Sequence, residues 1–343
     1  MVGKKAGLNK VIEEVSKGVS LSGVVYMKQG DEVVSKAAYG YANRSEKISN
    51  SINTRFGIAS GCKLFTAIAI CQLVQDGRLS FDDRLQDILV YDFEHFSDDV
   101  TVHHLLTHTS GIPDYFDEEV MDDFEELWVK YPMYTFRELK DFLPLFQHEQ
   151  MKFTPGEKFH YNNAGFILLG LIVEQVSKLT YQDYVGEFIF KKAEMDWSGF
   201  IAFDSLPSNV ALGYIDNPDG TWRTNIYSLP VRGGSDGGAF TTAPDMIKLW
   251  ESLFNDRLLS EEYTNKLLYP HVVVEEEVNY GYGVWVNKRN GSIFKYHLMG
   301  YDPGVSFRSS VYPNHDIKLV IPSNKEEGPS DVTKGIENYF TGR

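Results

Sequence analysis

The chain has 343 residues, of which 43% are hydrophobic and 14% aromatic, enough apolar material for one large domain or two modest ones. Its 48 acidic residues outnumber 33 basic residues and give a formal net charge of −15. Because such a field repels phosphate backbones and anionic lipids, nucleic acids and membrane surfaces are poor partners. The sequence contains no apolar run of about 18 residues, so no membrane span is predicted.

The first predicted element is an amphipathic helix over residues 1–17. Its apolar positions recur with helical spacing among charged residues, at Leu8, Val11, Ile12 and Val15. The segment lacks the apolar core of a secretory signal, which predicts a cytoplasmic protein and leaves open a signal that has been removed.

A hairpin is predicted next. Residues 24–27 and 32–39 have the composition of strands, and the turn at 29–31 contains glycine and aspartate. From residue 60 to 75 the pattern becomes helical, with Gly77 as the predicted stop.

The middle of the chain is predicted to be mostly helical and its end mostly extended. Predicted helices cover residues 102–107, 135–146, 164–177 and 243–254, and a glycine-rich loop covers 233–238. Predicted strands cover residues 283–287, 293–298, 304–312 and 317–322, followed by a helix at 330–340. This order indicates the α/β (α+β) class, with one antiparallel sheet built from both chain ends and flanked by helices.

We expect a single domain, residues 1–343, with two lobes. The sheet lobe would comprise about residues 1–58 and 235–343, and an inserted, mostly helical lobe would comprise about residues 59–234. A groove between two such lobes is a common place for an active site.

The chain has two cysteines, Cys62 and Cys71, both within the segment predicted to be helical. Their spacing does not bring them face to face, and redox or zinc frameworks need more cysteines than two. We interpret both as small buried hydrophobic side chains.

Ser60 and Lys63 form a Ser-x-x-Lys motif at the start of the predicted helix. A spacing of three places both side chains on one helix face. A lysine that burial holds neutral could accept the serine proton, and the positive end of the helix would favour negative charge on the oxygen. The tetrapeptide alone also fits a helix-capping serine followed by a solvated lysine.

The wider sequence resembles the serine β-lactamase and penicillin-binding protein superfamily. The similar segments follow the family's order over about residues 20–322 and include residues 56–83, 105–115, 155–170, 237–246 and 280–285. The nearest branch is the class C β-lactamase-like one, which includes D-alanyl-D-alanine carboxypeptidases, esterases and D-aminopeptidases. The resemblance implies a β-lactamase/transpeptidase-like fold and a serine hydrolase that acts through an acyl-enzyme on an amide, β-lactam or ester carbonyl.

The resemblance places a second motif, Tyr-x-Asn, at Tyr161 and Asn163. It implies that Tyr161 assists proton transfer to and from Ser60, and that Asn163 holds a substrate carbonyl or amide. Tyrosine is a recognised general acid or base, and a nearby cation makes its proton easier to lose. The sequence leaves open whether Lys63 or Tyr161 takes the first proton.

The family's third motif, Lys-Thr-Gly or His-x-Gly, falls within residues 295–304. In this family the residue after the glycine donates one oxyanion-hole N–H, and the nucleophile's own N–H is the other donor. The gap-free alignment places Gly300 at the glycine and makes Tyr301 the donor, so that Leu298 takes the cationic position. A cleft without that cation should bind carboxylate-bearing β-lactams less well and favour neutral esters or amides.

The alternative alignment places His297 at the family's histidine and Met299 at the glycine. Successive strand residues face opposite ways, so only one of His297 and Leu298 can point into the cleft. We favour the gap-free alignment and keep His297, Gly300 and Tyr301 as candidate substrate-binding residues.

No metal or organic cofactor is predicted. His103, His104 and His108 are close in sequence, but no zinc-protease string accompanies them, and we interpret them as packing residues. The loop at 233–238 lacks the lysine and hydroxyl residue of a phosphate-binding loop.

We therefore predict a serine hydrolase of the β-lactamase, D,D-carboxypeptidase or esterase type, with a small-molecule or short-peptide substrate. The alternative is a module that has kept the fold and lost the chemistry, and serves in binding or sensing. The sequence leaves open the substrate and the oligomeric state.

Overall fold

The computed structural model describes residues 2–342, with side chains from residue 6 onward, and its central feature is an eight-stranded antiparallel sheet. The strand order is β2-β1-β14-β13-β12-β11-β10-β9. The strands are β1 (Gly23–Gln29), β2 (Glu32–Tyr39), β9 (Val272–Glu275), β10 (Val278–Tyr280), β11 (Trp285–Arg289), β12 (Ser292–Asp302), β13 (Val305–Tyr312) and β14 (Ile317–Ser323). Strands from the two chain ends meet where β1 pairs with β14, which confirms the predicted sheet.

Six short strands form three two-stranded ladders outside this sheet. They are β3 (Tyr41–Asn43), β4 (Ile48–Ser49), β5 (Phe56–Gly57), β6 (Tyr214–Asp216), β7 (Trp222–Thr224) and β8 (Phe240–Thr241). The pairing of β5 with β8 matters most for the site, because it joins the residues before Ser60 to the end of the glycine-rich loop.

Two terminal helices cover one face of the large sheet. The N-terminal helix α1 (Val2–Gly18) packs against the C-terminal helix α10 (Pro329–Thr341), and α10 contacts β13 and β14. A small core between helices and sheet includes Ile12 and Ile336, both about 1% exposed or less. The helix predicted at the N-terminus is confirmed from residue 2, and Met1 lies outside the described residues.

The main hydrophobic core lies on the other face of the sheet. Its helices are α2 (Lys63–Gln75), α3 (Leu85–Ile88), α4 (Val102–Leu106), α5 (Glu126–Lys130), α6 (Asn163–Ser177), α7 (Tyr181–Val185), α8 (Ala243–Phe254) and α9 (Glu261–Leu268). The helices α2 and α6 pack on each other and are buried along most of their length, because their sequences are apolar all round.

Two of the differences from the prediction concern residues 135–146 and the edge of the sheet. The segment predicted as a helix over 135–146 contains a 3-10 helix, Leu139–Leu145, with Pro144 inside it. Proline has no N–H for the α-helical ladder, so the tighter turn is favoured there. The short strands β9 and β10 were not predicted, and they extend the sheet beyond β11 at its edge.

Both cysteines are buried and unpaired, as predicted, although Cys62 lies in the 3-10 turn before α2 rather than in the helix. Its thiol donates to the Gly234 carbonyl at 3.7 Å. Burial raises the pKa of Cys62 to about 12 and also raises the pKa of Cys71.

Within residues 2–342 no single helix has the length and apolar composition to cross a membrane. One bent pair, Asn163–Ser177 with Tyr181–Phe190, meets the length and composition test across a bend of 78°. The division into a sheet lobe and a helical lobe at the predicted residues stays a prediction.

Candidate active site

Ser60 lies in a 3-10 turn, Ala59–Cys62, immediately before α2. Ala59 has a φ angle of 44°, in the left-handed region that non-glycine residues rarely adopt. Backbone hydrogen bonds hold the turn, from the Gly61 N–H to the Ile58 carbonyl at 2.8 Å and from the Gly238 N–H to the Ala59 carbonyl at 3.3 Å. Such over-determined backbone strain is concentrated at functional sites.

Lys63 is 1% exposed, and its ammonium has three acceptors within hydrogen-bond distance. They are Ser60 Oγ at 2.9 Å, Asn163 Oδ1 at 2.8 Å and the Asp236 carbonyl oxygen at 2.7 Å. A lysine ammonium has three hydrogens, so every one of them has a partner. Because Lys63 donates to Ser60 Oγ, the hydrogen of the Ser60 hydroxyl must point to another acceptor.

Tyr161 lies on the same side of Ser60 as the lysine. The Lys63 Nζ is 4.9 Å from the centroid of the Tyr161 ring. Burial raises the pKa of the Tyr161 phenol well above its ordinary value, and the Glu118 charge raises it further, whereas a hydrogen bond with Ser60 acts in the opposite direction. The phenol is therefore neutral in the resting protein.

The start of α6 positions Asn163. The Asn162 side chain caps the helix by accepting from the Gly165 N–H at 2.7 Å. The Asp114 carboxylate accepts from the N–H groups of Asn163 and Ala164, at 2.7 and 2.9 Å. Burial raises the pKa of Asp114 to about 7, although these two N–H donors oppose the rise.

The Asn163 side chain has one strong and one weak contact. Its oxygen accepts from Lys63, whereas its Nδ2 donates to the Phe116 carbonyl at 3.4 Å, a long hydrogen bond. A substrate carbonyl could therefore take this N–H at little cost.

The glycine-rich loop at 233–238 wraps around the turn that carries Ser60. Its residue Asp236 was not among the predicted site residues, and its carbonyl accepts from Lys63 while its carboxylate accepts from the Tyr115 hydroxyl. Burial raises the pKa of Asp236, and the Lys63 charge opposes that rise. Nothing in the sequence distinguished this aspartate, because its partners come from distant segments.

Gly300 on β12 lies against the Ser60 turn. A Cβ added at Gly300 would overlap the Ile58 carbonyl oxygen and would be 3.0 Å from the Gly61 nitrogen. Only glycine permits this approach of strand to turn. Leu298, two residues earlier, shares the strand face of Gly300 and is 2% exposed in the main core.

His297 and Tyr301 lie on the other face of β12, by strand alternation. The His297 ring contacts the ring of Trp285 with 6.3 Å between centroids, and it does not line the cavity that contains Ser60. The structure thus does not bring the His297 side chain to the site, although it was a candidate substrate-binding residue. The Tyr301 side chain is 49% exposed and its hydroxyl accepts from Arg308 at 2.6 Å, so only its backbone adjoins the turn.

Ser60 opens into a cavity of about 730 Å³, which is large enough for a drug-sized ligand. The cavity is also lined by Tyr161, Asn163, Gly300 and Tyr301. One edge of β12 is unpaired there, because β11 pairs with β12 only as far as Trp285 and His297, whereas β13 pairs with it to Asp302.

The three neighbouring histidines make structural contacts. His104 closes a capping box with Thr101 at the start of α4, and His103 contacts the Tyr282 hydroxyl at 2.9 Å. His108 is buried, and burial lowers its pKa well below the ordinary value, so its neutral ring accepts from the Asn162 N–H at 3.1 Å. Over the described part of the chain, no group of three or more acidic, cysteine and histidine side chains is placed to hold a metal ion.

Comparison with known families decides the identity of this fold. The family model described as Beta-lactamase matches residues 8–340. The chain belongs to the β-lactamase family. This family and its penicillin-binding protein relatives are serine hydrolases, in agreement with the predicted fold and function class.

Individual relatives of this β-lactamase-family protein agree with that assignment. It is 29% identical to penicillin-binding protein 4* of Bacillus subtilis (strain 168) over 362 aligned positions, which cover 99% of this chain and 77% of that protein. The crystal structure of a penicillin-binding protein from Bacillus halodurans is 58% identical, with a TM-score of 0.92 over 96% of this chain and 99% of that one. A D-stereospecific amidohydrolase from Streptomyces sp. shares the fold, with 22% identity and a TM-score of 0.80 over 98% and 99% of the two chains.

Proposed function

We propose that this β-lactamase-family protein is an active hydrolase that cleaves ester or amide bonds through an acyl-enzyme on Ser60. The observation that carries the proposal is the 2.9 Å contact between Lys63 Nζ and Ser60 Oγ at the edge of a 730 Å³ cavity. Burying a lysine side chain costs folding free energy, so a buried lysine beside a serine indicates a chemical role.

In the proposed acylation, Ser60 Oγ attacks the substrate carbonyl carbon while its proton passes to the Tyr161 oxygen. The phenol proton of Tyr161 moves at the same time to the leaving group, so Tyr161 remains neutral. Lys63 keeps its three hydrogens and stabilises the developing negative charge on Ser60 Oγ. This route follows from the Lys63 contacts and from the raised pKa of Tyr161.

The remaining roles are assigned to groups around the carbonyl. The backbone N–H groups of Ser60 and Tyr301 are proposed as oxyanion donors, each stabilising the transition state by about 3 kcal/mol. Asn163 would bind a substrate carbonyl or amide through its weakly held Nδ2. Deacylation repeats the proton transfer with water as the attacking group and releases the acid.

The position of Gly300 supports the gap-free alignment of the third motif, in which Leu298 occupies the cationic position. His297 is then not a substrate-binding residue. An apolar side chain in that position favours substrates that lack a carboxylate there.

The direct test is mass spectrometry of the intact protein after exposure to a nitrophenyl ester and to a penicillin. We expect an acyl adduct on Ser60 and turnover of the ester. Ser60→Ala should lose the adduct and reduce the rate about a thousandfold or more, whereas the exposed Ser45→Ala should retain both. An ester rate that is the same in Ser60→Ala and wild type would contradict the proposal.

A further inference from the structure

The charged side chains that line the Ser60 cavity are all acidic. Among residues 6–342, no lysine, arginine or histidine lines it, although one buried lysine, Lys63, lies behind the serine. The acidic lining residues are Glu118, Asp122, Asp123, Glu125, Asp236, Asp302 and Glu326. A cavity lined by one sign of charge concentrates ligands of the opposite sign.

Several of these carboxylates are already engaged in the fold. Glu125 pairs with Arg223 at 2.7 Å, and Glu326 accepts from the Gly304 N–H at 3.1 Å. Asp236 accepts from the Tyr115 hydroxyl beside the Lys63 charge. These groups are structural and do not need a ligand.

Asp302 is different, because its partly buried carboxyl has no hydrogen-bond or ion-pair partner among residues 2–342. Burial raises its pKa to about 8; the neighbouring charges of Asp236 and Glu118 raise it further, and Lys63 opposes them. A carboxyl of this kind costs folding free energy, and such groups in clefts are candidates for a functional role.

The place of Asp302 in the fold suits contact with substrate. It follows Tyr301 on the segment of β12 that has a partner strand on one side only, next to the Ser60 turn. Glu118 belongs to the same cavity, and its charge acts both on the Tyr161 phenol and on Asp302. Both carboxyls therefore line the cavity into which the nucleophile opens.

An organic cation fits this space better than a metal ion. The described residues hold no group of three acidic, cysteine or histidine side chains that could bind a metal. The same cavity is lined by the apolar side chains of Phe116, Met121 and Phe124, which a carbon skeleton can contact. Aromatic faces also attract organic cations.

We propose that the cavity selects substrates whose acyl group carries an ammonium or similar organic cation, and that Asp302 is the carboxylate that binds this cation. Glu118 contributes a second negative charge at the cavity. The inference rests on the proposed function, since it names the substrate class of the same site. Substrates that present a carboxylate at this place are disfavoured.

The test uses three linear alkylboronic acids of matched length that end in ammonium, methyl or carboxylate, because boron bonds to a reactive serine oxygen. Calorimetry of the intact protein gives their affinities without requiring turnover. We expect the ammonium compound to bind about tenfold more tightly than the methyl compound, and the carboxylate compound to bind most weakly. The ammonium preference should increase between pH 6 and pH 9, because Asp302 loses its proton in this interval. The other charged groups that act on Asp302 are Asp236, Glu118 and Lys63.

Asp302→Asn should reduce the ammonium preference to less than about twofold and remove its pH dependence, and Asp302→Glu should restore part of it. Asp122→Asn is the matched control, because it removes an exposed acid of the same cavity whose charge does not act on Asp302. Equal binding of the three compounds, no binding of the ammonium compound, or an equal loss of all three affinities in Asp302→Asn would overturn the inference. Hydrolysis of nitrophenyl acetate, measured in parallel, reports separately on the proposed function.

Discussion

The two sides of the Ser60 cavity differ in how their polar groups are satisfied. On the reaction side, which comprises Ser60, Lys63, Tyr161 and Asn163, each ammonium hydrogen of Lys63 has an acceptor at 2.7–2.9 Å. On the recognition side, the Glu118 carboxyl is exposed and the Asp302 carboxyl has no partner among residues 6–342. We include Leu298 with this side because of its place in the third motif, although its apolar side chain lies in the core and does not line the cavity. A saturated network fixes geometry for chemistry, whereas unpaired groups are available to a ligand.

The largest expected effect of a change on the reaction side comes from Tyr161→Phe. This substitution removes the proposed proton carrier and keeps the ring that contacts Lys63 and His108. We expect the kcat for ester hydrolysis to fall by a factor of about 10² to 10⁴. The melting temperature should change little.

Steady-state kinetics and calorimetry of Tyr161→Phe measure both quantities. The exposed Tyr269→Phe, which also loses one phenol oxygen, is the control. A kcat within about threefold of wild type would rule out proton transfer through Tyr161.

Gly300→Ala should displace the Ser60 turn on the reaction side, because the added methyl group has no room. The new methyl group would overlap the Ile58 carbonyl, so the Ser60 turn or β12 must move. Overpacking of this kind costs about 1–3 kcal/mol of unfolding free energy, and the displaced turn should reduce the rate by about tenfold or more. Gly186→Ala, at a position with open space around it, should leave both unchanged. Chemical denaturation measures the unfolding free energy and a rate assay measures the activity. If Gly300→Ala changes neither, the close approach of β12 to the Ser60 turn is not required.

Leu298→Lys would make the recognition side resemble the cationic form of the family's third motif. Because Leu298 is 2% exposed, the new ammonium must reach the cavity or be buried at a cost in stability. We expect penicillin to acylate Ser60 about tenfold faster than in the wild type, and Leu298→Met to give no such increase. If acylation by penicillin is no faster in the lysine variant, residue 298 does not govern carboxylate binding.

The smallest expected effect is the pH dependence of stability. The pKa of Asp302 is about 8 in the folded protein, above the ordinary value of 3.8, so between about pH 4 and 8 the folded protein binds more protons than the unfolded chain. This carboxyl therefore lowers stability as pH rises through that interval. Asp302→Asn should raise the melting temperature relative to wild type by an amount that grows from pH 5 to pH 9. A difference that stays constant across this range would show that Asp302 does not titrate with a raised pKa.

The fold was largely predictable from the sequence because its main elements carry local signals. The hairpin of β1 and β2 has a Gly-containing turn between strand-forming residues, and α8 was predicted at its observed bounds. In the structure Thr242 caps α8 and a proline lies in its first turn. The strands β9 and β10, beyond β11 in the sheet, were missed, because they are short and separated by glutamates. The segment that forms the 3-10 helix Leu139–Leu145 was predicted to be α-helical, because its apolar residues have helical spacing and the prediction gave no weight to Pro144.

The candidate site was predictable only in part, for a physical reason. Ser60, Lys63, Tyr161 and Asn163 belong to motifs that a sequence displays, and the structure brings them together, while their roles stay predictions. Asp236 and Asp302 belong to no motif, since their significance arises from burial and from neighbours in distant segments. The orientation of β12 was not predictable from a local pattern either, because none shows which of residues 297 and 298 faces the site.

The burial of both native thiols has a practical consequence. Cys62 and Cys71 are enclosed and hard to ionise, so a maleimide added near neutral pH should find no native target in the folded protein. Val120, which is 78% exposed and lies near the cavity-lining residues Glu118 and Met121, offers a place for an introduced cysteine. A fluorescent dye attached at Val120→Cys would then report ligand entry from one known position, with no need to replace the natural cysteines first.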